Sequence, residues 1–272
     1  MSQNGTPHDG LPLAGRKDED MPGHWLLARM GKRVLRPGGL ELTTALLADA
    51  GLPGADVVEL APGLGKTAAD ILAAGPRSYV GVEADPEAVA LTRKAVGARG
   101  RLVEADAAQT GLDATSADVV VGEAMLTMQS DRGKDAIIGE AFRVLRPGGR
   151  YAIHELALHP DTLSDEQKTE IRKALARSIK VNARPLTEAE WRGALTKAGF
   201  EVERVRFAKM ALLEPKRNLA DEGLLGTLKI VGNVLRNSDA RGRILSMRKV
   251  FRTYRNELAA IEVIARKPET AA

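Results

Sequence analysis

Cysteine is absent from the 272-residue chain. That excludes disulfides, thiolate metal sites and a cysteine nucleophile, and it suits a reducing compartment. Aromatic residues make up only 3%, so the stacking platforms of nucleic-acid binders have little to be built from. Histidines number four and lie scattered, without ligand spacing, so no metal site is expected. Nowhere do about 18 apolar residues run uninterrupted, which predicts no membrane-spanning helix. The opening MSQNGTPHDGLPLAGRKDEDMPG also lacks the apolar run of a signal peptide. A cytoplasmic protein is the expectation.

What is there is ordinary for a globular chain: 44% hydrophobic and 28% charged residues, enough for one large domain or two small ones. The net charge is a modest +4, but it is unevenly placed. Residues 204–256 hold thirteen Lys/Arg against four Asp/Glu, so the rest of the chain is acidic on balance. Such a segment points to an anionic partner or to a solvated helical face.

Residues 1–20 are polar and aperiodic and predict a disordered tail. Residues 21–50 predict short helices, at about His24–Val34 and Leu40–Ala50. A non-alternating ADVVEL at 55–60 reads as a strand buried on both faces. Further strands follow at 79–83, 102–105, 117–121 and 150–158, with helices between them. Asp85-Pro86 suits a helix cap and first position. Arg146-Pro147-Gly148-Gly149 cannot continue the helix before it. Helices at about 164–180 and 187–198, a strand at 200–207 and a last strand at 260–265 complete the pattern. This alternation predicts a doubly wound α/β sheet. The organisation expected is a core of residues 51–207 plus 259–267, with a basic helical insertion at 208–258. The heptamer RVLRPGG occurs at 33–39 and again at 143–149, in surroundings too different for a domain repeat.

The most informative segment is Glu59-Leu60-Ala61-Pro62-Gly63-Leu64-Gly65-Lys66-Thr67. Glycines after a buried strand allow a tight turn and close approach of a ligand, and the next helix points free N–H groups at it. GLGKT suggests a phosphate loop, but that motif needs glycine where Leu60 stands. Gly63-x-Gly65-x-x-Ala68, with Glu83 ending the next strand, is a loose dinucleotide fingerprint, which leaves an NAD(P)-dependent oxidoreductase open.

A third reading accounts for more of the chain. The acid-then-glycine turn at 59–65, GVEADP at 81–86, Glu104-Ala-Asp106, Asp-Val-Val at 118–120, Leu-Arg-Pro-Gly-Gly at 145–149 and Ala-Gly-Phe at 198–200 stand in the order of one family. Residues 55–207 and the final strand resemble the class I, S-adenosylmethionine-dependent methyltransferases. The resemblance implies a seven-stranded, mostly parallel sheet whose last strand is antiparallel. It also implies S-adenosylmethionine as cofactor. Glu83 would take the ribose hydroxyls, Asp106 the adenine amino group beside the Ala107 N–H, and Glu59 the amino end of the methionine. The backbone of Ala61, Gly63 and Gly65 would approach the methionine portion, with Glu123 and Ala124 on its other side. The departure is Ala61, where family members often carry glycine.

Methyl transfer from a sulfonium is an in-line displacement, and a base is needed only if the acceptor must lose a proton. His154 and Glu155, ending the fifth strand, are the candidates; neighbours on a strand point to opposite faces, so only one can serve. His24 and Trp25 read as part of a packing helix before the core. In the insertion, Leu224, Leu228, Val231 and Leu235 form one apolar stripe and Ile244, Met247, Phe251, Tyr254 and Leu258 another. These predict a cap lining a pocket for a lipophilic or aromatic small molecule, with a basic surface that could touch a membrane. Glu123-Ala-Met-Leu stands where amino-methylating nucleic-acid enzymes carry an Asn/Asp-Pro-Pro-aromatic sequence, which argues against base N-methylation and, with the scarce aromatics, makes a nucleic-acid partner unexpected. A non-catalytic binding protein on the same scaffold is the remaining alternative.

Overall fold

A computed structural model describes residues 11–13 and 15–269. Its sheet runs β3-β2-β1-β4-β5-β8-β7, with the two-residue β6 (Leu186–Thr187) pairing the end of β5. Strands β1 (Asp56–Leu60), β2 (Ser78–Glu83), β3 (Arg101–Glu104), β4 (Ala117–Glu123) and β5 (Leu145–Leu158) are parallel. The last strand, β8 (Leu258–Arg266), is antiparallel to both β5 and β7 (Glu201–Lys209). The expected doubly wound sheet is therefore present, with β6 as a short eighth strand.

Both faces of the sheet are covered, which is why β1 does not alternate. Val58, Val120, Tyr151 and Ile153 pack on one side against α5 (Asp131–Val144) and α7 (Glu188–Lys197). Val57, Val119, Val121 and Ala152 pack on the other, against α2 (Gly39–Ala50), α3 (Lys66–Ala73) and α4 (Pro86–Val96). Neighbouring residues thus enter separate cores, as a strand's period of two requires.

Local chemistry sets the helix ends. The Asp85 side chain accepts hydrogen bonds from the Glu87 and Ala88 N–H groups, with Pro86 in the first turn. Capping boxes open α6 (Asp165–Ile179; Ser164 with Gln167) and α7 (Thr187 with Glu190). The first helix, α1, is shorter than its apolar spacing predicts. It spans Gly23–Arg29, and Gly31 at φ +101° turns the chain out of the helix.

The segment 1–20 divides. Residues 1–10 and 14 lie outside the described residues. Asp18, by contrast, pairs with Arg29 at 2.7 Å, and its carbonyl accepts a hydrogen bond from Arg243. These contacts anchor the stretch just before α1 to the insertion.

The insertion consists of α8 (Pro215–Arg236), interrupted at Gly223 (φ +71°, ψ 175°), and α9 (Ser238–Thr253). The two predicted stripes part company here. Met247 is buried and Ile244 and Phe251 pack beside it, whereas Leu224, Leu228, Val231 and Leu235 face solvent. Among the described residues no helix is long and apolar enough to cross a membrane.

Candidate active site

β1 and β4 lie side by side while the chain leaves them in opposite directions across the sheet, so their carboxyl ends flank the switch point where such folds bind ligands. The residue following each strand's acid-bearing end is an alanine, Ala61 and Ala124, and both have φ +53°. A non-glycine residue there is strained, and strain of this kind gathers at functional sites. In the turn that follows, Gly63 (φ +56°) and Gly65 (φ +71°) differ in purpose. A Cβ on Gly63 would meet only the Ala61 carbonyl, at 3.9 Å, so that glycine opens onto free space. A Cβ on Gly65 would stand 2.8 Å from the Ala95 Cβ, so that glycine lets α3 pack on α4.

A cavity of about 380 Å³ opens here. The turn at 61–64, Glu59, Glu83, Arg36 and Glu123 form its polar side. Trp25, Leu35, Met128, Leu212, Met247 and Phe251 are among the residues of its apolar side. Glu83 is buried and accepts hydrogen bonds from the Gly63 and Asp85 N–H groups, both at 3.1 Å. Asp106 and Ala107 do not line this cavity. They follow β3, whose Glu104 is paired with Glu83, so they share its end of the sheet; Asp106 is exposed and accepts from the Ala108 N–H at 2.8 Å.

Glu59 sits beneath the turn, 3% exposed, and receives the Tyr79 hydroxyl at 2.6 Å. Tyr79 can reach it because Gly81, between them on β2, has no side chain; a Cβ there would lie 2.9 Å from the hydroxyl. Burial pushes the Glu59 carboxyl up to about 8, against the pull of the Tyr79 hydrogen bond. Glu59 is therefore mostly protonated at neutral pH.

Glu123 behaves oppositely. Burial pushes it up, but the Arg36 charge and the hydrogen bonds from His154 and Thr43 override this and hold it down at about 2. Arg36 Nε lies 3.2 Å from its Oε2, and Thr43 and Thr67 donate to its two oxygens. Arg36 Nη2 also donates to Thr67, while its Nη1 is buried without a hydrogen-bond partner.

His154 is fully buried and does not line the cavity. The Gly38 N–H donates to its Nε2 at 3.0 Å. An N–H can only donate, so Nε2 carries no proton and the ring is neutral, with Nδ1–H directed at Glu123 Oε1, 2.9 Å away. Both nitrogens are occupied. Glu155 lines the cavity but accepts four hydrogen bonds, from the Met125, Leu126 and Thr127 N–H groups and the Thr127 hydroxyl. It fixes the bend after β4. Burial pushes its carboxyl up, opposed by those donors. The two strand-end residues expected to supply a base are thus both committed to holding backbone. His24 does line the cavity, beside Trp25, and burial lowers it to about 4, so its imidazole is neutral.

Sequence reasoning missed Arg36, Gly38, Thr43, Thr67 and Tyr79. Arg36 and Gly38 lie in the first RVLRPGG, which the structure uses to deliver a guanidinium and an N–H to the site. A tyrosine early in β2 beside an acid in β1 was the available signal for the Glu59 partner. Among the described residues no group of three or more His, Asp or Glu could hold a metal ion.

A family model, the methyltransferase domain, matches residues 57–149. A protein of Haemophilus influenzae, itself uncharacterized, is 33% identical over 255 residues, covering 92% of this chain and 99% of the other. Among solved structures, the phosphoethanolamine N-methyltransferase 2 of Haemonchus contortus, bound to phosphomonomethylethanolamine and S-adenosylhomocysteine, has a TM-score of 0.68 at 18% identity, over 96% of this chain and 60% of that one. A geranyl diphosphate methyltransferase bound to GPP and sinefungin gives 0.61 at 14%, over 84% and 77% of the two chains. The [4+2]-cyclase SpnF gives 0.62 at 17%, over 84% and 80%. Residues 57–149 thus carry a methyltransferase domain, within a chain whose fold is the class I methyltransferase one. Its fold is the one those structures share; the acceptor is a separate question, since one such fold hosts several chemistries.

Proposed function

We propose that this protein transfers the methyl group of S-adenosylmethionine to a small, largely apolar acceptor held in the 380 Å³ cavity. The observation that carries the reading is a pair of buried groups of opposite character on one wall. Glu59 is a buried carboxyl short of a cation, and Arg36 is a buried cation with an unpartnered Nη1. The ammonium and carboxylate of an amino-acid end answer both. Glu83, with lone pairs to spare beyond its two N–H donors, suits the ribose hydroxyls. Asp106 and Ala107, on the next loop, suit the adenine edge. Gly63 leaves the room that the chain of the ligand needs.

The bound cofactor supplies an activated methyl group on a good leaving group. The protein's own part is to orient, to desolvate and to exclude water. His154 positions Glu123 and the Gly38 backbone, and Glu155 positions the bend at 124–127. Neither has a free lone pair aimed at an acceptor. The acceptor therefore either needs no deprotonation or loses its proton to water. The apolar wall from Trp25, Met128, Met247 and Phe251 favours a lipophilic or aromatic molecule, desolvated on entry.

Isothermal calorimetry with S-adenosylhomocysteine, and separately with NAD, tests the cofactor. Micromolar binding of the first and none of the second is expected; the reverse would return the site to the dinucleotide reading. Transfer of a radiolabelled methyl group across a panel of lipophilic and aromatic acceptors tests the reaction. Cofactor binding with no turnover on any of them would favour a binding protein.

A further inference from the structure

The second half of α8 carries apolar residues on both of its sides. Ile230 is buried, Val234 packs against the α1 cluster, and Asn233 donates to the Met30 carbonyl. That side is the inner one. The outer side should be polar, yet it presents Leu224, Leu228, Val231 and Leu235 in one helical row, with Leu225 beside them. Leu225 is 83% exposed and Leu224 65%. Such a contiguous row on a soluble domain marks a partner.

The charge around the row says which. From Leu224 to Asn256 the sequence holds eight Lys/Arg and a single acid, Asp239. Lys229 and Arg236 flank the leucines on α8; Arg241 and Lys249 lie exposed on α9, which also carries the exposed Leu245, and Arg255 is exposed just after it. Among the described residues none of these five makes an ion pair. The acids Asp221 and Glu222, by contrast, are turned inward. Glu222 accepts from the Arg33 and Val34 N–H groups and Asp221 from the Leu40 N–H. A second copy of this chain would fit poorly, because a two-fold contact through the leucine row brings its own basic flanks together. An apolar row bordered by unpaired cations is instead the pattern of a helix lying in the headgroup region of an anionic bilayer.

We propose that α8 and α9 form a docking surface for an anionic membrane. Leu224, Leu225, Leu228, Val231 and Leu235 enter the interface, and Lys229, Arg236, Arg241 and Lys249 meet the lipid phosphates. Docking here sets the cavity close to the bilayer. The first half of α8 clamps the 33–40 segment, whose Arg33 and Leu35 line that cavity, and α9 contributes Met247 and Phe251 to it.

Flotation of the full chain with vesicles of phosphatidylcholine alone, and of phosphatidylcholine mixed with phosphatidylglycerol, tests this. Binding to the mixed vesicles only, weakened by added salt, is expected. The double substitution Leu225→Glu with Leu228→Glu should lower the partition coefficient at least about tenfold, as should Lys229→Glu with Arg236→Glu. Retained S-adenosylhomocysteine binding and an unshifted melting temperature would show that both variants stay folded, the changed side chains being exposed. No binding to the anionic vesicles overturns the proposal. So does binding that neither variant weakens, or a leucine-dependent dimer in sedimentation with no vesicle binding.

Discussion

Replacing Glu59 by glutamine should make the free protein more stable and the cofactor site worse, and the pH dependence gives the reasoning its sharpest edge. The folded carboxyl stands at about 8, and its ordinary value is 4.5. A folded value above the unfolded one means that the group's contribution is fully present below about pH 4.5 and is lost as pH rises through about 8. Near pH 5 the unfolded carboxyl is only about half a unit past its midpoint, so the penalty is under roughly 1 kcal/mol; near pH 7 it reaches roughly 3 kcal/mol. Glutamine keeps an oxygen to accept the Tyr79 hydroxyl and cannot ionise. Urea denaturation of both proteins between about pH 5 and pH 7 therefore should show their stability difference growing by roughly 2 kcal/mol in favour of the variant. Subtracting the two curves cancels every other titrating group. A difference that stays flat with pH would refute the claim that burial holds this carboxyl protonated. Cofactor binding runs the other way. If the ammonium pairs with this carboxylate as proposed, S-adenosylhomocysteine affinity of the wild type should rise with pH up to about 8, and Glu59→Gln should remove that rise.

Further outcomes can be measured by similar means. Arg36→Lys keeps a charge near Glu123 but loses the planar fork, and calorimetry should show S-adenosylhomocysteine affinity falling by about ten- to a hundredfold. Ala61→Gly relieves a residue at φ +53° and should raise stability by about 1 kcal/mol in denaturant titration, whereas Ala61→Val should lower it. Gly38→Ala sets a Cβ 2.6 Å from Leu42 Cδ2 and 3.0 Å from His154 Nε2; a loss of about 1–3 kcal/mol is expected. His154→Asn should cost stability without removing a limb from the pH–rate profile once an acceptor is in hand; a lost limb would make His154 a base after all.

Much of the frame was legible because its signals are local. Asp85-Pro86, Ser164 with Gln167 and Thr187 with Glu190 carry their helix starts in three or four residues, and the buried strands declare themselves by lacking alternation. The turn at 61–65 and the acid Glu83 were picked out by spacing together with the family resemblance. What was not legible depends on contacts between distant parts of the chain. RVLRPGG is the same heptamer twice, yet Arg146 reaches Asp118 and Asp56 at the far end of the sheet, and Arg36 is drawn in beside Glu123. Nothing within seven residues tells them apart. The direction of the α8 stripe failed for a related reason. Periodicity says that the leucines share a face, but the inner side was already taken by Ile230, Asn233 and Val234.

The reading of His154 and Glu155 as catalytic rests on residue type and place. Both were chosen because a histidine and an acid at a strand end near the switch point have the right chemistry for proton transfer. Hydrogen-bond capacity weighs against it. Every donor and acceptor on His154 is matched by Gly38 and by the Glu123–Thr43 pair, and Glu155 spends its carboxylate on three backbone N–H groups and a hydroxyl. A group so matched makes a rigid frame, and freeing a lone pair for chemistry would strand a buried partner at a cost of about 1–3 kcal/mol. Arg36 Nη1, without a hydrogen-bond partner, and the protonated Glu59, which receives the Tyr79 hydroxyl but pairs with no cation among the described residues, both stand on the cavity wall. The site is thus unfinished only where a ligand would complete it, and catalysis that rests on placement requires no more of the protein than that.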